Sequence, residues 1–342
     1  MITIKSRSDL EKLREAGRVA AQAQELAGKS IHPGMTTHQL YKILHDFIVH
    51  SGATPTFLGY GGFPASACIS INEEIIHGIP SRHRVIKAGD IVSVDVGATL
   101  NGFVGDNAAT FPVGDVSQEA LDLLAVTKAS LFEAIAAAQV GARLGDVCHA
   151  VEAYCSERGY GIVREYCGHG IGREMHEDPE VPNYGKPGHG VRLMPGMTFC
   201  IEPMINQKGD AVRVLKDGWT VVTANGSLSA HFEHEIAVTK DGPVILTRPN
   251  GGNCMEWQQG SIVLATAGLD AGMYFVVVAA DEHFVWLANG KRRTLANPKR
   301  KNKKHVQQTA TVIALTSWTD KPFPLLLPAY FALQVIRPFV KS

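Results

Sequence analysis

Seven side chains that could bind metal ions or move protons lie between residues 77 and 233 of this 342-residue chain. Carboxylate oxygens suit hard divalent cations, and an imidazole adds affinity for transition metals. Two ions roughly 3.5–4 Å apart in one site must share carboxylates. The set therefore predicts a hydrolytic centre with two carboxylate-bridged ions. The candidate ligands are Asp95, Asp106, His169, Glu202 and Glu233, and His77 and His176 remain for proton transfer and oxyanion binding.

The first pair of acids can be positioned by a predicted hairpin. The dipeptide Asn101-Gly102 is typical of a two-residue type I′ turn. With that turn, Asp106 lies opposite Gly97 and Asp95 opposite Ala108. Side chains alternate between faces, so both aspartates share one face, as diagonal neighbours roughly 7–8 Å apart at the backbone. The alternative is a solvated pair on an exposed face, which the apolar run IVSVDV disfavours.

An internal repeat supplies the second acid-bearing strand. The segments KAGDIVSVD and MPGMTFCIE align without gaps, so Gly89 and Asp95 have the same spacing as Gly196 and Glu202. Each segment consists of a turn, an apolar strand and a carboxylate. A lone charge within FCIEPM is rarely buried unless it is paired or binds metal, and Pro203 indicates a strand end. The repeat predicts two half-domains, each placing one acid near a common axis.

The histidines are weaker signals one by one, because an isolated histidine is more often structural than functional. His169 and His176 share the glycine-rich segment GHGIGREMH, where the backbone can approach a ligand closely. His77, in INEEIIHGIP, favours a structural interpretation by itself. We also interpret His231 and His234 as structural.

Taken together, the motifs are similar to those of the type I methionine aminopeptidases. The similarity extends from about residue 3 to residue 247, through CISINEEIIHGIP, the two aspartate strands, GHGIGREMHEDP, TFCIEPM and SLSAHFEHEIAV. It implies the α+β pita-bread fold, in which two pseudo-symmetric halves form a curved antiparallel sheet with helices outside. It also implies removal of the initiator methionine from nascent polypeptide N-termini, with a preference for a small uncharged second residue.

The resemblance assigns a role to each candidate ligand. Asp95 is expected to bind one ion, Asp106 and Glu233 to bridge both, and His169 and Glu202 to bind the second. The implied cofactors are two divalent metal ions, and this donor set is compatible with Co, Mn, Fe, Zn or Ni.

The catalytic roles follow from the same resemblance. Glu202 is the expected general base, which takes a proton from the attacking water and passes it to the leaving amine. His176 is expected to donate to the developing oxyanion, and His77 to contact the scissile amide nitrogen.

The resemblance further implies a narrow apolar pocket for the methionine side chain, which makes favourable sulfur–aromatic contacts. Three positions depart from the residues commoner in the family but keep the pocket apolar: Phe57, Phe63 and Met175 replace Cys, Tyr and Phe. The alternative for these side chains is ordinary core packing. The expected lining is Phe57, Tyr60, Phe63, Cys68, Met175 and Trp219.

Three features of the sequence disfavour the alternatives to this family. Proline-specific peptidases of the same fold usually carry a large extra N-terminal domain, whereas a capping box of Ser8 and Glu11 predicts that the first helix begins at once. Type II methionine aminopeptidases carry an insertion between the last two carboxylates, but Glu202 and Glu233 are only 31 residues apart. A non-catalytic binding protein would be expected to lose ligands, and all seven motif positions are present.

General features favour a cytoplasmic protein without membrane spans, and we expect a monomer. The six cysteines form no C-x-x-C motif, which favours free thiols. The N-terminus MITIKSRSDLEKL has no signal-peptide core, and no uninterrupted apolar stretch reaches the length of a transmembrane helix. Further helices are predicted at roughly 36–51, 117–139 and 146–158.

The C-terminal part differs from the rest in charge. Residues 251–342 carry a net charge of +6, against −6 for residues 1–250, and KRRTLANPKRKNKK has eight basic residues in 14. Short β-rich runs precede it, and Asn289-Gly290 predicts a hairpin. The segment 258–308 is similar to small KOW-type, ribosomal-protein-like domains, which implies a β-barrel that binds rRNA on the ribosome; a solvated basic tail is the alternative.

The predicted organisation is therefore a methionine aminopeptidase domain at 1–248, a KOW-like RNA-binding domain at 255–310 and a tail at 311–342. Prolines make a continuous helix implausible in the tail, to which we assign no function.

Overall fold

The structure, a computed structural model, describes residues 2–249 and 259–312, the latter with gaps at 266–267, 271–272, 282, 290–292 and 296. The chain divides into two compact units, Met1–Gly251 and Gly252–Ser342. The predicted tail lies outside the described residues apart from its first two, which end a strand. Within the described residues, no helix is long and apolar enough to cross a membrane.

The first unit contains four α-helices within the described residues, close to the predicted positions. They are α1 (Arg7–Ser30), α2 (Thr37–His50), α3 (Gln118–Ala137) and α4 (Leu144–Ser156).

The predicted cap of the first helix was wrong. Ser6, not Ser8, caps α1, and it forms the capping box with Asp9. The Ser6 hydroxyl accepts from Asp9 N at 3.2 Å, and the Asp9 carboxylate accepts from Ser6 N at 3.0 Å. Glu11 instead pairs with Arg7 one turn away, at 3.3 Å. The shorter Asp side chain completes the box as well as a Glu would, so the cap lies two residues earlier.

The strands of the first unit are short apart from one long hairpin. They are β1 (Thr54–Pro55), β2 (Ala67–Ile71), β3 (Glu74–Ile76), β4 (Ile91–Leu100), β5 (Phe103–Pro112), β6 (Gly161–Ile162), β7 (Gly168–Gly170), β8 (Glu177–Val181), β9 (Thr198–Ile201), β10 (Met204–Asn206), β11 (Val212–Val214), β12 (Val221–Thr223), β13 (Ser229–His231), β14 (His234–Thr239) and β15 (Gly242–Ile245).

Each half of this unit supports part of the sheet with a pair of helices. In the first half, α1 and α2 pack on β2 and β4, in a sheet ordered β1-β4-β2 with β5 paired to β4. In the second half, α3 and α4 pack on strands that include β9 and β14, within the order β15-β14-β9-β7-β8. Two smaller sheets are ordered β13-β10-β6 and β11-β12-β3. This arrangement has the two helix-backed halves that the pita-bread fold requires.

The predicted hairpin register is confirmed. Asp95 pairs with Ala108 and Asp106 with Gly97 across β4 and β5. Asn101 and Gly102 both have positive φ, 52° and 76°, as a type I′ turn demands. The preceding helix lies very close to this hairpin, because a Cβ at Gly105 would lie 2.3 Å from the backbone nitrogen of Gly17 in α1.

The second unit contains one antiparallel sheet in its described part, ordered β19-β18-β17-β16-β20. Its core includes Val263, Phe275 and Leu287. The predicted hairpin at Asn289-Gly290 involves Gly290, which lies outside the described residues; β18 and β19 do pair, but ten residues separate them. The strands are β16 (Ser261–Ala265), β17 (Tyr274–Ala280), β18 (Phe284–Ala288), β19 (Lys299–Asn302) and β20 (Val306–Val312).

Candidate metal centre and substrate pocket

One pocket of about 700 Å³ in the first unit brings together all thirteen residues that the sequence analysis singled out. The acidic and imidazole side chains share it with the aromatic side chains expected around a substrate. The thirteen are Phe57, Tyr60, Phe63, Cys68, His77, Asp95, Asp106, His169, Met175, His176, Glu202, Trp219 and Glu233.

The long hairpin presents the first two acids. Asp95 lies in the middle of β4, between Cys68 of β2 on one side and Ala108 of β5 on the other. Asp106 of β5 is only 2 % exposed. Glycine at position 97, opposite Asp106, leaves space for Phe57, since a Cβ there would lie 2.6 Å from the Phe57 ring. The hairpin thus positions both aspartates and leaves room for Phe57, which forms one wall of the pocket.

The second two acids lie where a ladder ends. Strands β9 and β14 pair through Ile201 and His234. Glu202 follows β9 directly and Glu233 directly precedes β14, so both lie just beyond this pair. Glu233 donates its backbone N–H to the Ala108 carbonyl at 2.9 Å, which joins it to the first hairpin opposite Asp95. Strand β9 ends at Ile201, directly before Glu202 and Pro203, where a strand end was predicted. The four carboxylates therefore converge from the two halves.

His169 completes the cluster from β7. Its Nδ1 donates to the Gly170 carbonyl at 3.0 Å, because a carbonyl oxygen can only accept. Its Nε2 then faces the acids, 3.5 Å from Asp106 Oδ2 and 3.6 Å from Glu202 Oε1. A backbone partner that fixes the outward nitrogen in this way is typical of metal-binding histidines.

The electrostatics show an excess of negative charge. Burial, and then repulsion by Asp106, raises the pKa of Asp95 well above its ordinary value. The pKa of Glu233 is raised well above its ordinary value by the same two causes. Burial lowers the pKa of His169, but its hydrogen bond to Asp106 and the nearby carboxylates outweigh this and raise it to about 9. Cations held among these groups would relieve the repulsion.

The donor set fits divalent metal ions. Asp95 Oδ1, Asp106 Oδ1 and Glu233 Oε1 are buried and have no hydrogen-bond partner among the described residues. Such atoms are rare unless something satisfies them. One donor atom from each of Asp106, His169, Cys200 and Glu233 lies within 4.8 Å of the others. The geometry therefore suits ions held mainly by carboxylates and one imidazole.

The two remaining histidines line the pocket beside the acids. His77 has φ +59°, a left-handed conformation that few residues other than glycine adopt, and burial lowers its pKa. His176 lies with its ring centroid 4.2 Å from that of His169. Burial, and then the charge of His169, lowers the pKa of His176 to about 4. Both rings are therefore neutral near pH 7.

Aromatic side chains form the apolar wall. Trp219 contacts Phe63 and His77, with ring centroids 5.2 Å and 6.1 Å apart. The Asp217 carboxylate accepts the backbone N–H of Trp219 at 2.9 Å, which holds the loop in place. The Tyr60 hydroxyl lies 2.7 Å from His176 Nδ1. The aromatic wall therefore contacts both histidines, through Trp219 at His77 and through Tyr60 at His176.

Several residues at this site were missed by the sequence analysis. Ile76, Tyr166 and Cys167 also line the pocket, and His231, interpreted as structural, lies with Nε2 3.5 Å from Glu202 Oε2. One signal was available for His231, because it precedes Glu233 by two residues and the alternation of strand faces puts both on one side. The other three carry no local signal, since only the fold brings their segments to the pocket.

Comparison with known proteins shows the family of the chain. The model of metallopeptidase family M24 matches residues 11–240. The chain is 51% identical over 247 residues to a methionine aminopeptidase of Clostridium acetobutylicum, covering 72% of this chain and 99% of that protein. It is 49% identical over 248 residues to methionine aminopeptidase 1 of Bacillus subtilis, covering 72% of this chain and 100% of that protein.

Solved structures agree with the sequence relatives. The methionine aminopeptidase of Thermotoga maritima gives a TM-score of 0.72 at 45% identity, and the match covers 72% of this chain and all of that one. An Xaa-Pro dipeptidase from Bacillus anthracis scores 0.58 at 25% identity, and only 62% of that chain is covered. The likeness to the first is therefore both stronger and more complete.

Proposed function

The chain belongs to the type I methionine aminopeptidases of metallopeptidase family M24, and from this membership we propose how its own side chains carry out the reaction. It is an aminopeptidase that removes the N-terminal methionine of polypeptide chains. It uses two divalent metal ions. When bound, these ions supply Lewis acidity and make a water molecule acidic enough to act as a nucleophile at neutral pH.

We assign the metal ligands by motif position. Asp95 would bind one ion, Asp106 and Glu233 would bridge the pair, and His169 and Glu202 would bind the second. Three observations support this: the four carboxylates converge in one pocket, Asp95, Asp106 and Glu233 each have a buried oxygen without a partner among the described residues, and the pKa values of Asp95 and Glu233 are raised.

Glu202 is the general base in this proposal. Its carboxylate lies between two imidazoles, 3.6 Å from His169 and 3.5 Å from His231. It takes a proton from the attacking water and delivers it to the amine that leaves with the shortened chain. Its strand ends beside it, so its side chain projects into the pocket and not into the core.

The two neutral histidines bind the reacting peptide group. His176 donates to the oxygen that becomes negative in the tetrahedral transition state, and the Tyr60 hydroxyl on its Nδ1 holds the ring in position. His77 contacts the scissile amide nitrogen. A neutral imidazole serves both roles, which the lowered pKa values of His77 and His176 support.

The methionine side chain occupies the apolar wall. Phe57, Phe63 and Met175 are at most 7 % exposed and belong to one apolar cluster with Cys68. A slim thioether fits between such rings. We further propose that the enzyme prefers a small uncharged second residue, because the acids and histidines crowd the space beside the scissile bond.

The observation that carries this proposal is the meeting of four carboxylates and His169 at one end of an aromatic pocket. The test is methionine release from the peptide Met-Ala-Ser by protein stripped of metal and then given Mn²⁺, Co²⁺ or Fe²⁺. Stripped protein should be inactive, and at least one ion should restore turnover. Metal-independent release, or the absence of release with every ion, would overturn the proposal.

For the second unit, we propose a KOW-like domain, a small β-barrel that binds ribosomal RNA. The support is a net basic charge and an exposed arginine that lies against two half-buried aromatic rings. The Arg300 guanidinium lies 3.6 Å from the Phe284 ring centroid and 5.8 Å from that of Trp286. Residues 251–342 carry a net charge of +6. Arginine and aromatic side chains on one face are typical of single-stranded nucleic-acid binding.

This second proposal predicts salt-dependent co-sedimentation with ribosomes. Deletion of 255–342 should abolish it while leaving activity on Met-Ala-Ser, because the Clostridium acetobutylicum relative is matched over 99% of its length by 72% of this chain. Arg300→Glu should weaken binding, whereas Lys240→Glu, the same charge change in the first unit, should not. Unchanged binding after the deletion would sink the idea.

We also propose domain limits of 1–248 and 255–310, a tail at 311–342, and a monomer in the cytoplasm. The five cysteines in the described part of the chain are all free, which suits a reducing compartment. Gel filtration and fractionation of the producing cell test both statements.

A further inference from the structure

His231 has no role in the proposed mechanism, yet it is a fourth imidazole beside the proposed reacting groups. It is 1 % exposed, and its Nε2 has no hydrogen-bond partner among the described residues. That nitrogen lies 3.5 Å from Glu202 Oε2. A buried, unpartnered donor aimed at a functional carboxylate calls for an explanation.

The backbone of His231 is held rigidly. The Thr110 hydroxyl accepts the His231 N–H at 2.9 Å and donates to the His231 carbonyl at 2.8 Å. Thr110 in turn lies 2.8 Å from the Ser93 hydroxyl. Strand β13 pairs His231 with Met204, directly after the Glu202–Pro203 break. The main chain at His231 is therefore held in place beside the segment that carries Glu202.

The two oxygens of Glu202 have different neighbours. Oε1 lies 3.6 Å from His169 Nε2, on the side of the other proposed ligands. Oε2 faces His231. The Glu202 backbone carbonyl accepts from Asn183 Nδ2 at 3.0 Å, so the main chain is anchored separately from the side chain. The orientation of the Glu202 carboxylate therefore depends on its two imidazole neighbours, His169 and His231.

We infer that His231 is a positioning residue for Glu202, and this inference depends on the proposed function. The ring, in the tautomer that carries Nε2–H, donates to Oε2 and holds the carboxylate in one orientation, which keeps Oε1 on the side of His169, where it would bind metal. Groups that orient metal ligands in this way typically affect metal affinity or activity by about 10- to 100-fold.

The test compares two substitutions in the full-length enzyme. His231→Leu removes the donor at similar volume and should lower kcat for Met-Ala-Ser by about 10-fold or more with little change in KM. His231→Gln keeps an N–H donor and should recover most of the wild-type kcat. Recovery by Gln separates positioning from packing, because a side chain that only fills space would not need a donor.

Calorimetric titration of metal-free protein with Mn²⁺ gives a readout independent of turnover. His231→Leu should weaken only one of the two binding events, by about tenfold, because Glu202 is assigned to one ion. The matched control is His234→Leu, a buried histidine whose Nδ1 contacts Thr247 Oγ1 at 2.9 Å. It should lower stability but leave both binding events and kcat close to wild type.

The outcomes separate the inference from the proposed function. An inactive wild-type enzyme with every ion would refute the function. An active wild type with His231→Leu equal to it in kcat and Mn²⁺ affinity would overturn the positioning role alone. Equal losses in the Leu and Gln variants would overturn it too, since the donor would then be irrelevant.

Discussion

The strands that carry Asp95 and Glu202 begin alike and reach different surroundings. Gly89 and Gly196 have φ of +92° and +91°, and each donates its N–H to a backbone carbonyl, that of Val113 just after β5 and that of Val238 in β14. Six residues later, each strand presents its carboxylate to the pocket. The two halves therefore use the same backbone arrangement, a left-handed glycine six residues before a carboxylate that lines the pocket.

The side chains around the two carboxylates differ. Asp95 lies inside a ten-residue strand and faces other acids, so its pKa is raised by burial and by Asp106. Glu202 follows a four-residue strand that ends at Ile201, and it lies between two imidazoles. An acid among acids needs a cation, whereas an acid between imidazoles can exchange protons. The repeat thus gives two similar backbone positions, and strand length and neighbouring side chains make their surroundings different.

The largest expected effect is on turnover at Glu202. Glu202→Ala should lower kcat by about 1,000-fold or more, because it removes the proposed general base, which is also a proposed metal ligand. Methionine release from Met-Ala-Ser with saturating metal measures this. The exposed Glu165→Ala serves as control and should keep full activity. If Glu202→Ala kept a kcat within tenfold of wild type, Glu202 would not be the general base, and the proposed difference between Glu202 and Asp95 would be wrong.

Asp95→Asn should act first on metal content. Elemental analysis should show about one ion per chain instead of two, with kcat lowered by about 100-fold. The same change should stabilise the metal-free protein by about 1–3 kcal/mol, because it replaces an uncompensated carboxyl. Denaturant unfolding measures the second effect, and a loss of metal-free stability would contradict the electrostatic interpretation.

The pH dependence of the metal-free protein sharpens this point. The folded-state pKa values of Asp95 and Glu233 are raised, so the folded protein retains protons that the unfolded chain releases. Stability from these groups is complete below their unfolded pKa and is lost as pH rises through the folded pKa. Melting temperatures measured from pH 5 to pH 8 should fall more steeply for the wild type than for Asp95→Asn. Parallel curves would refute the shift.

The two turn glycines should differ in stability although their φ angles match. Gly89→Ala should cost about 1–2 kcal/mol for a left-handed residue, since the added Cβ meets nothing closer than 3.9 Å. Gly196→Ala should cost about 1–3 kcal/mol more through overpacking, because its Cβ would lie 2.7 Å from Ile4 and 2.8 Å from the Lys5 carbonyl. Equal denaturation midpoints for the two variants would show that the segment around Ile4 and Lys5 shifts to accommodate the added Cβ at little cost in stability.

The smallest effect is expected at the pocket wall, which both halves share. Met175→Phe exchanges one large apolar side chain for another and should change kcat/KM for Met-Ala-Ser by less than about tenfold. A ring-to-small change, Phe57→Ala in the first half, is the comparison and should raise KM further. A larger effect at Met175 than at Phe57 would place methionine recognition mainly in the second half.

Local chemistry allowed much of the site to be predicted. The Asn101-Gly102 turn determined the hairpin register, so the shared face of Asp95 and Asp106 followed from period-two alternation. The helix cap shows where such reasoning fails, because Ser6 and Ser8 are both acceptable caps by residue type. The structure favours Ser6, whose carboxylate partner Asp9 lies three residues ahead.

What the sequence determined by itself is what depends on near neighbours: turn type, strand alternation, the repeat and the kinds of donor atoms. Only the tertiary structure decided which segments meet. His231 reaches Glu202 because β13 pairs with β10 just beyond the Pro203 break, and Tyr166 reaches His77 across a gap of 89 residues. Contacts between distant segments depend on how the two halves pack together. The spacing of residues along the chain does not show which distant segments will be close in space.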